Sequence, residues 1–179
     1  ASLWKCERDF SDFRMSGKLI IGILVAFISM QCSNVNNSEN SKVDNNFATS
    51  IELADLDGNV INLSAYKGKT IILNIWATWC KPCIKELPSM EVLQNKLDPN
   101  EFVLLFASDE EVKRINKFID KNSYDLKFIS LRSSPESLGV FSLPTTFIIS
   151  KDGKLLITET GSKDWGSVES IEEIKNVVK

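Results

Sequence analysis

Cys80 and Cys83, separated by Lys81 and Pro82, are the residues best suited to chemistry. They follow Thr70 to Trp76, rich in β-branched and apolar residues, and open a segment with helical character from about Pro82 to Leu97. At a helix N-terminus, unpaired backbone N–H groups and the helix dipole stabilise a thiolate. Lys81 adds positive charge, and thiols in such places have pKa values lowered from ~8.5 toward ~3.5–7.5. Pro82 fits the first helical turn, where its missing N–H is no loss. Three chemistries compete for such a pair. A structural bridge over two residues closes almost no loop and stabilises the fold little. A metal centre is not expected, because two thiols without histidine fall short of the usual four ligands. Thiol–disulfide exchange needs a redox-active disulfide and no further cofactor.

Composition narrows the field. The chain has 179 residues and no histidine. Histidine general bases, Ser-His-Asp triads and Cys-His pairs are therefore excluded within it. Lys+Arg number 21 and Asp+Glu 24, a net charge of -3, which gives no electrostatic footprint for nucleic acid. Apolar residues make up 43%, enough for a core and too many for wholesale disorder.

The elements that must position the cysteines follow from periodicity. Ile51 to Leu56 alternates as a strand, Asp57-Gly58 signals a tight type I′ hairpin turn, and Asn59 to Leu63 alternates again. Ser64 is placed to cap a short helical turn that Gly68 ends. Thr70 to Trp76 and Phe102 to Ala107 read as strands buried on both faces. Between Asp109 and Asn122, Val112, Ile115 and Ile119 mark an amphipathic helix with acids in its first turn. Phe128 to Leu131 is a short strand and Pro135 to Leu138 a helical turn. Thr145 to Ser150 and Leu155 to Thr160 form a second hairpin about Asp152-Gly153. A last helix sets Val168, Ile171, Ile174 and Val178 on one side. Such alternation implies a central sheet with helices on both faces.

The first 46 residues read as an address and a tether. Leu19 to Met30 is a mostly apolar run of twelve residues, short of the roughly 20 that a spanning helix needs. With Lys18 before it, the run suits a secretory signal over 15–31, starting at Met15 and leaving 1–14 upstream. Cys32 follows at once, resembling a bacterial lipoprotein signal in which that cysteine is lipidated, although Gln31 stands where a small residue is usual. The alternative is an uncleaved anchor. Ser33 to Asn46 holds six Asn and three Ser in fourteen residues, so 32–46 reads as a flexible polar tether before a domain at 47–179.

Several motifs are shared with a known family. Leu56-Asp57-Gly58, Leu63-Ser64, Gly68-Lys69, Asn74 through Cys83, Glu86-Leu87-Pro88 and Leu143-Pro144-Thr145-Thr146-Phe147 resemble the TlpA/ResA-like thiol-disulfide oxidoreductases of the thioredoxin superfamily. The resemblance implies an α/β thioredoxin-like fold, with a central mixed sheet flanked by helices and an N-terminal β-hairpin. It implies that Cys80 attacks a substrate disulfide and that a buried Cys83 resolves the mixed disulfide. Pro144 matches the family's cis-proline, and Leu143 would offer backbone hydrogen bonds to an extended substrate. Trp79, Lys81 and Pro82 would border the same groove, Trp76 would pack in the core, and Pro88 would kink the helix. Asn74 stands where thioredoxins carry a buried acid. The family's glutamate after the next strand points to Asp109, Glu110 or Glu111, and Glu110 aligns best as the proton-transfer acid. Implied partners are thiol or disulfide groups of exported proteins, including heme-site cysteines in cytochrome c maturation, and a membrane thiol electron donor. The implied location is the extracytoplasmic face of the membrane. Two rivals stand beside this reading. A peroxiredoxin-like peroxidase lacks support because Ala77 holds the place of that family's threonine. A tethered peptide-binding module without redox turnover is the other.

Overall fold

The computed structural model describes residues 47–178. The expectations for Met15, the apolar run, Cys32 and the tether lie outside them. Among the described residues no helix is long and apolar enough to cross a membrane.

Ten regular elements follow one another: β1 (Leu53–Ala54), β2 (Val60–Ile61), β3 (Thr70–Ile75), α1 (Lys81–Lys96), β4 (Phe102–Ser108), α2 (Val112–Ile119), β5 (Phe128–Leu131), β6 (Thr145–Ile149), β7 (Leu155–Thr160) and α3 (Val168–Val177). Short 3-10 turns lie at Phe47–Ser50, Leu63–Tyr66 and Pro135–Leu138. The strands form one mixed sheet in the order β2-β1-β5-β4-β3-β6-β7. β3, β4 and β5 run parallel, and the remaining pairs are antiparallel. Parallel neighbours need long crossovers, which α1 and α2 supply. All of β3 is buried, as expected of a central strand covered on both faces.

Strand alternation divides the core. Ile72, Leu104, Phe106 and Ile148 pack with Leu87, Met90 and Leu93 of α1, Ile115 of α2 and Ile174 of α3. Ile71, Leu73, Ile75, Leu105 and Phe147 form a second cluster with Ala48, Leu63 and Leu138 of the 3-10 turns. The α-helices thus share one cluster, and short turns cover the other face.

Local chemistry moves several expected boundaries. The hairpin after β1 is not a two-residue type I′ turn. Asp55 N–H donates to Asn59 O (2.9 Å) and Gly58 N–H to Asp55 O (3.1 Å), leaving three residues between the paired positions. Only this longer loop lets Asp55 Oδ1 accept from both Asp57 N–H (3.0 Å) and Asn59 N–H (2.8 Å), with Gly58 at φ 93 closing the bulge. The same three-residue pattern joins Ser150 to Lys154. The cap of the Leu63–Tyr66 turn is Asn62, whose side chain accepts from Ser64 N–H, rather than Ser64. α2 is shorter than its periodicity suggested and has no acid in its first turn. Glu110 turns elsewhere, and Asn122 closes the other end by donating through Nδ2 to Phe118 O (2.7 Å). Val168 is exposed at the start of α3 instead of joining Ile174 in the core.

Candidate active site

The site begins where β3 ends. Ile75 lies opposite Ala107 of β4 and Thr145 of β6, so the chain leaving β3 emerges between the two strand ends. Trp76 extends the parallel ladder by donating its N–H to Ala107 O (3.1 Å). Its ring is buried, with centroids 4.9 Å from Phe118 and 5.0 Å from Phe128. A turn follows, closed by Cys80 N–H to Ala77 O (3.1 Å), with Thr78 and Trp79 at its corners. Trp79 is 66% exposed, which leaves an indole standing beside the cysteines.

Cys80 is the N-cap of α1, and Cys83 N–H donates to its Sγ (3.2 Å). A cap normally uses a hydroxyl or carboxylate oxygen for this bond; here sulfur takes it. Cys80 and Cys83 form a disulfide. Cys80 retains 4% exposure and Cys83 none, so any difference in access between the two sulfurs is small in this oxidised form. Lys81 and Pro82 are exposed on the first turn of the helix. Pro88 sits inside α1, which continues through it to Lys96.

The Leu143–Pro144 bond is cis. Because Thr145 pairs with Ile75, Pro144 reaches the same edge of the sheet as the cysteine turn. Thr145 Oγ1 donates to Ser142 O (2.7 Å), fixing this approach, while Leu143 packs against both core clusters. Phe141 projects into solvent just upstream.

Two carboxylates flank the cysteines. Glu110 follows β4 and meets the turn before Cys80. Thr78 N–H donates to its Oε2 (2.6 Å) and Thr78 Oγ1 to its Oε1 (2.9 Å), with Arg114 Nη1 at 3.4 Å. Asp109 and Glu111 are exposed. The other carboxylate is Glu86, three residues past Cys83 and 2% exposed. Asn74 Nδ2 donates to its Oε1 (2.9 Å), and Lys163 N–H and Trp165 Nε1 to its Oε2 (3.2 Å each). Asn74 Nδ2 also donates to Thr146 Oγ1 (2.9 Å). Burial pushes the Glu86 carboxyl above its ordinary value, against the pull of these hydrogen bonds. Sequence reasoning quoted Glu86 within a motif but gave it no role. The available signal was its spacing of three from Cys83, which puts both on the inward face of α1.

Known proteins share these features. Residues 41–177 match the Redoxin family. Thiol-disulfide oxidoreductase ResA of Bacillus thuringiensis subsp. konkukian is 39% identical over 115 residues, covering 61% of this chain and 65% of that protein. The chain thus spans just under two thirds of this relative's length. Thioredoxin-like protein YneN of Bacillus subtilis is 34% identical over 121 residues, covering 64% of this chain and 70% of its own. Among solved structures, the exposed lipoprotein thioredoxin of Streptococcus pneumoniae superposes with a TM-score of 0.56 at 28% identity, over 68% of this chain and 97% of its own. The shared fold is that of thioredoxin. With its cysteine pair capping the helix that leaves the central strand, and with the family match running over residues 41–177, the chain belongs to the Redoxin family and is ResA-like within it.

Proposed function

We propose that the chain is a thiol-disulfide oxidoreductase that reduces disulfides of exported proteins. The observation that carries the reading is the Cys80–Cys83 disulfide at the first turn of α1, beside cis-Pro144 and the exposed Trp79. In the reduced protein the Cys80 thiolate attacks one sulfur of a substrate disulfide. The substrate's S–S bond breaks, one substrate thiolate leaves, and a mixed disulfide forms. Cys83 then loses its proton and attacks Cys80 Sγ. The second substrate thiolate leaves, and the Cys80–Cys83 bond forms. Two electrons have passed to the substrate, and a thiol donor on the membrane restores the pair. A buried thiol gives up its proton reluctantly. Glu86, one turn along α1, is the nearest buried carboxyl in the helix to receive it. Leu143 and Trp79 border the groove for an extended segment around the substrate cysteine.

The address-like N-terminus supports a place on the extracytoplasmic side of the membrane, held by lipid on Cys32 or by an uncleaved anchor. The resemblance to ResA-like proteins supports cytochrome c maturation as the setting. The test is reduction of insulin by the chain with a dithiol donor, together with trapping by Cys83→Ala. The variant accumulates mixed disulfides through Cys80 if the reading holds. Equal trapping by Cys80→Ala overturns the division of roles, and inactivity of the wild-type protein overturns the reductase. Mass spectrometry of the mature N-terminus decides the anchor: lipid on Cys32 supports it, and an unmodified Met30-Gln31-Cys32 peptide rejects it.

A further inference from the structure

Glu110 touches neither cysteine in the hydrogen bonds of the described residues; its carboxylate is spent on Thr78. Both oxygens are engaged, by the backbone N–H at 2.6 Å and by the hydroxyl at 2.9 Å. Ser108 Oγ donates to Oε2 at 3.4 Å and accepts from Glu110 N–H at 3.3 Å, which fixes the carboxylate on its own loop. The Glu110 side chain is 7% exposed although it stands on a connecting loop. Its partner Thr78 is a corner of the Ala77–Cys80 turn. That turn holds the exposed Trp79 at its second corner and ends on the sulfur that attacks. Trp76 N–H to Ala107 O secures the turn's near end to β4, and Cys80 as N-cap secures its far end to α1. Between these anchors, the corner has Glu110 as its side-chain support.

We infer that Glu110 is a positioning residue that clamps the Ala77–Cys80 turn to the end of β4, so that Cys80 and Trp79 meet substrate in fixed geometry. The inference rests on the oxidoreductase reading and deepens it. Both carboxylate oxygens meet one threonine at the corner of the turn and neither meets a cysteine, so the group is placed to hold that corner. Reactions of aligned groups lose rate steeply when a reacting atom is misplaced by about 1 Å.

The experiment compares Glu110→Ala, Glu110→Gln and Thr78→Val in the full chain. Three readings are taken: insulin reduction over a range of pH, amide exchange at Thr78, and thermal unfolding. Glutamine keeps an oxygen for Thr78 N–H and an amide for its hydroxyl, so it preserves the clamp without a titrating proton. Glu110→Ala is expected to lose about tenfold or more in rate, with faster exchange at Thr78. Glu110→Gln is expected to recover most of the rate with an unshifted pH profile. Thr78→Val, which keeps the backbone bond, falls between. If Glu110→Gln is as slow as Glu110→Ala and the pH profile moves, Glu110 is a proton carrier and the inference is overturned. Wild-type rate and wild-type Thr78 exchange in Glu110→Ala overturn it equally. Should Glu110→Ala not fold, the glutamine and valine variants carry the decision. Inactivity of the wild-type chain would strike the reductase reading alone, and exchange at Thr78 would still test the clamp.

Discussion

Glu110 bonds to the turn before Cys80 and Glu86 lies in α1 after Cys83, and the two are held in different ways. Glu110 belongs to a loop, faces a threonine, and has the exposed Arg114 guanidinium nearby. Glu86 belongs to α1, is enclosed by the sheet and the Lys163–Trp165 segment, and meets three neutral donors with no cation among them. Hydrogen bonds without an opposing charge compensate burial only in part, so the Glu86 carboxyl is held above its ordinary range. The contrast separates two tasks that one acid performs poorly together. A group that must hold a turn needs its oxygens bonded to that turn, as those of Glu110 are to Thr78. A group that must exchange a proton with a buried thiol needs its two forms closer in energy.

The largest expected effect comes from breaking the buried side. Glu86→Ala leaves Asn74 Nδ2 with one acceptor fewer and strips Trp165 Nε1 and Lys163 N–H of theirs. Unmet buried donors cost about 1–3 kcal/mol each, so a loss of roughly 3 kcal/mol is expected in urea unfolding. Asn74→Asp comes next. It places a second carboxylate against Glu86, where like charge and burial act together. A loss of about 2 kcal/mol at pH 8 and much less at pH 5 is expected, since an uncompensated buried charge is the costly form. Unchanged stability at both pH values would show that the Glu86 site tolerates charge freely.

Glu86→Gln sharpens the comparison through pH alone. A carboxyl whose folded pKa is raised binds its proton more tightly in the folded state than in the unfolded chain. Its contribution to stability is present below the ordinary value of 4.5 and is lost as pH rises through the folded value. The wild-type protein should therefore lose stability across that window, and Glu86→Gln should lose less. Identical slopes in denaturant titrations at several pH values would remove Glu86 from the account. The smallest effect belongs to Arg114→Ala. Its contact with Glu110 is a single exposed pair at 3.4 Å, of a kind worth roughly 0.5 kcal/mol or less. A larger loss would mean that the Glu110 clamp depends on charge as well as on Thr78.

The cysteine pair and its helix were legible because the signal is local: apolar strand, two thiols and a proline within fourteen residues, Thr70 to Cys83. β5, β7 and the Pro135–Leu138 turn were legible to the residue, since each is short and bounded by polar or turn-forming neighbours. Glu110 is singled out from Asp109 and Glu111 by resemblance alone, yet its partner Thr78 lies 32 positions away, and no periodicity reports such a bond. The Glu86 network was hidden for the same reason, because Trp165 is 79 positions distant. The hairpin turn was misread because the side-chain acceptor at Asp55 outweighed the preference of Asp57-Gly58 for a tighter loop. The expected helix between Asp109 and Asn122 exceeds α2 at both ends, because the apolar period Val112, Ile115 and Ile119 lies wholly inside Val112–Ile119 and does not mark where the helix stops.

Cys80 is both the cap of α1 and one of the two sulfurs of the disulfide, and this ties two measurements into one thermodynamic cycle. A thiolate accepts the Cys83 N–H more strongly than a disulfide sulfur does. This one bond favours the reduced pair, while Glu86, buried one turn past Cys83 in α1, disfavours added negative charge in the same helix. The balance sets how much more stable one redox form is than the other. Around the cycle, that difference in unfolding free energy equals the difference in electron affinity between the folded pair and the same pair in an unfolded chain. About 30 mV corresponds to about 1.4 kcal/mol for a two-electron couple. Melting the oxidised and reduced proteins side by side thus weighs the pair as electron donor or acceptor without any redox partner in the cell.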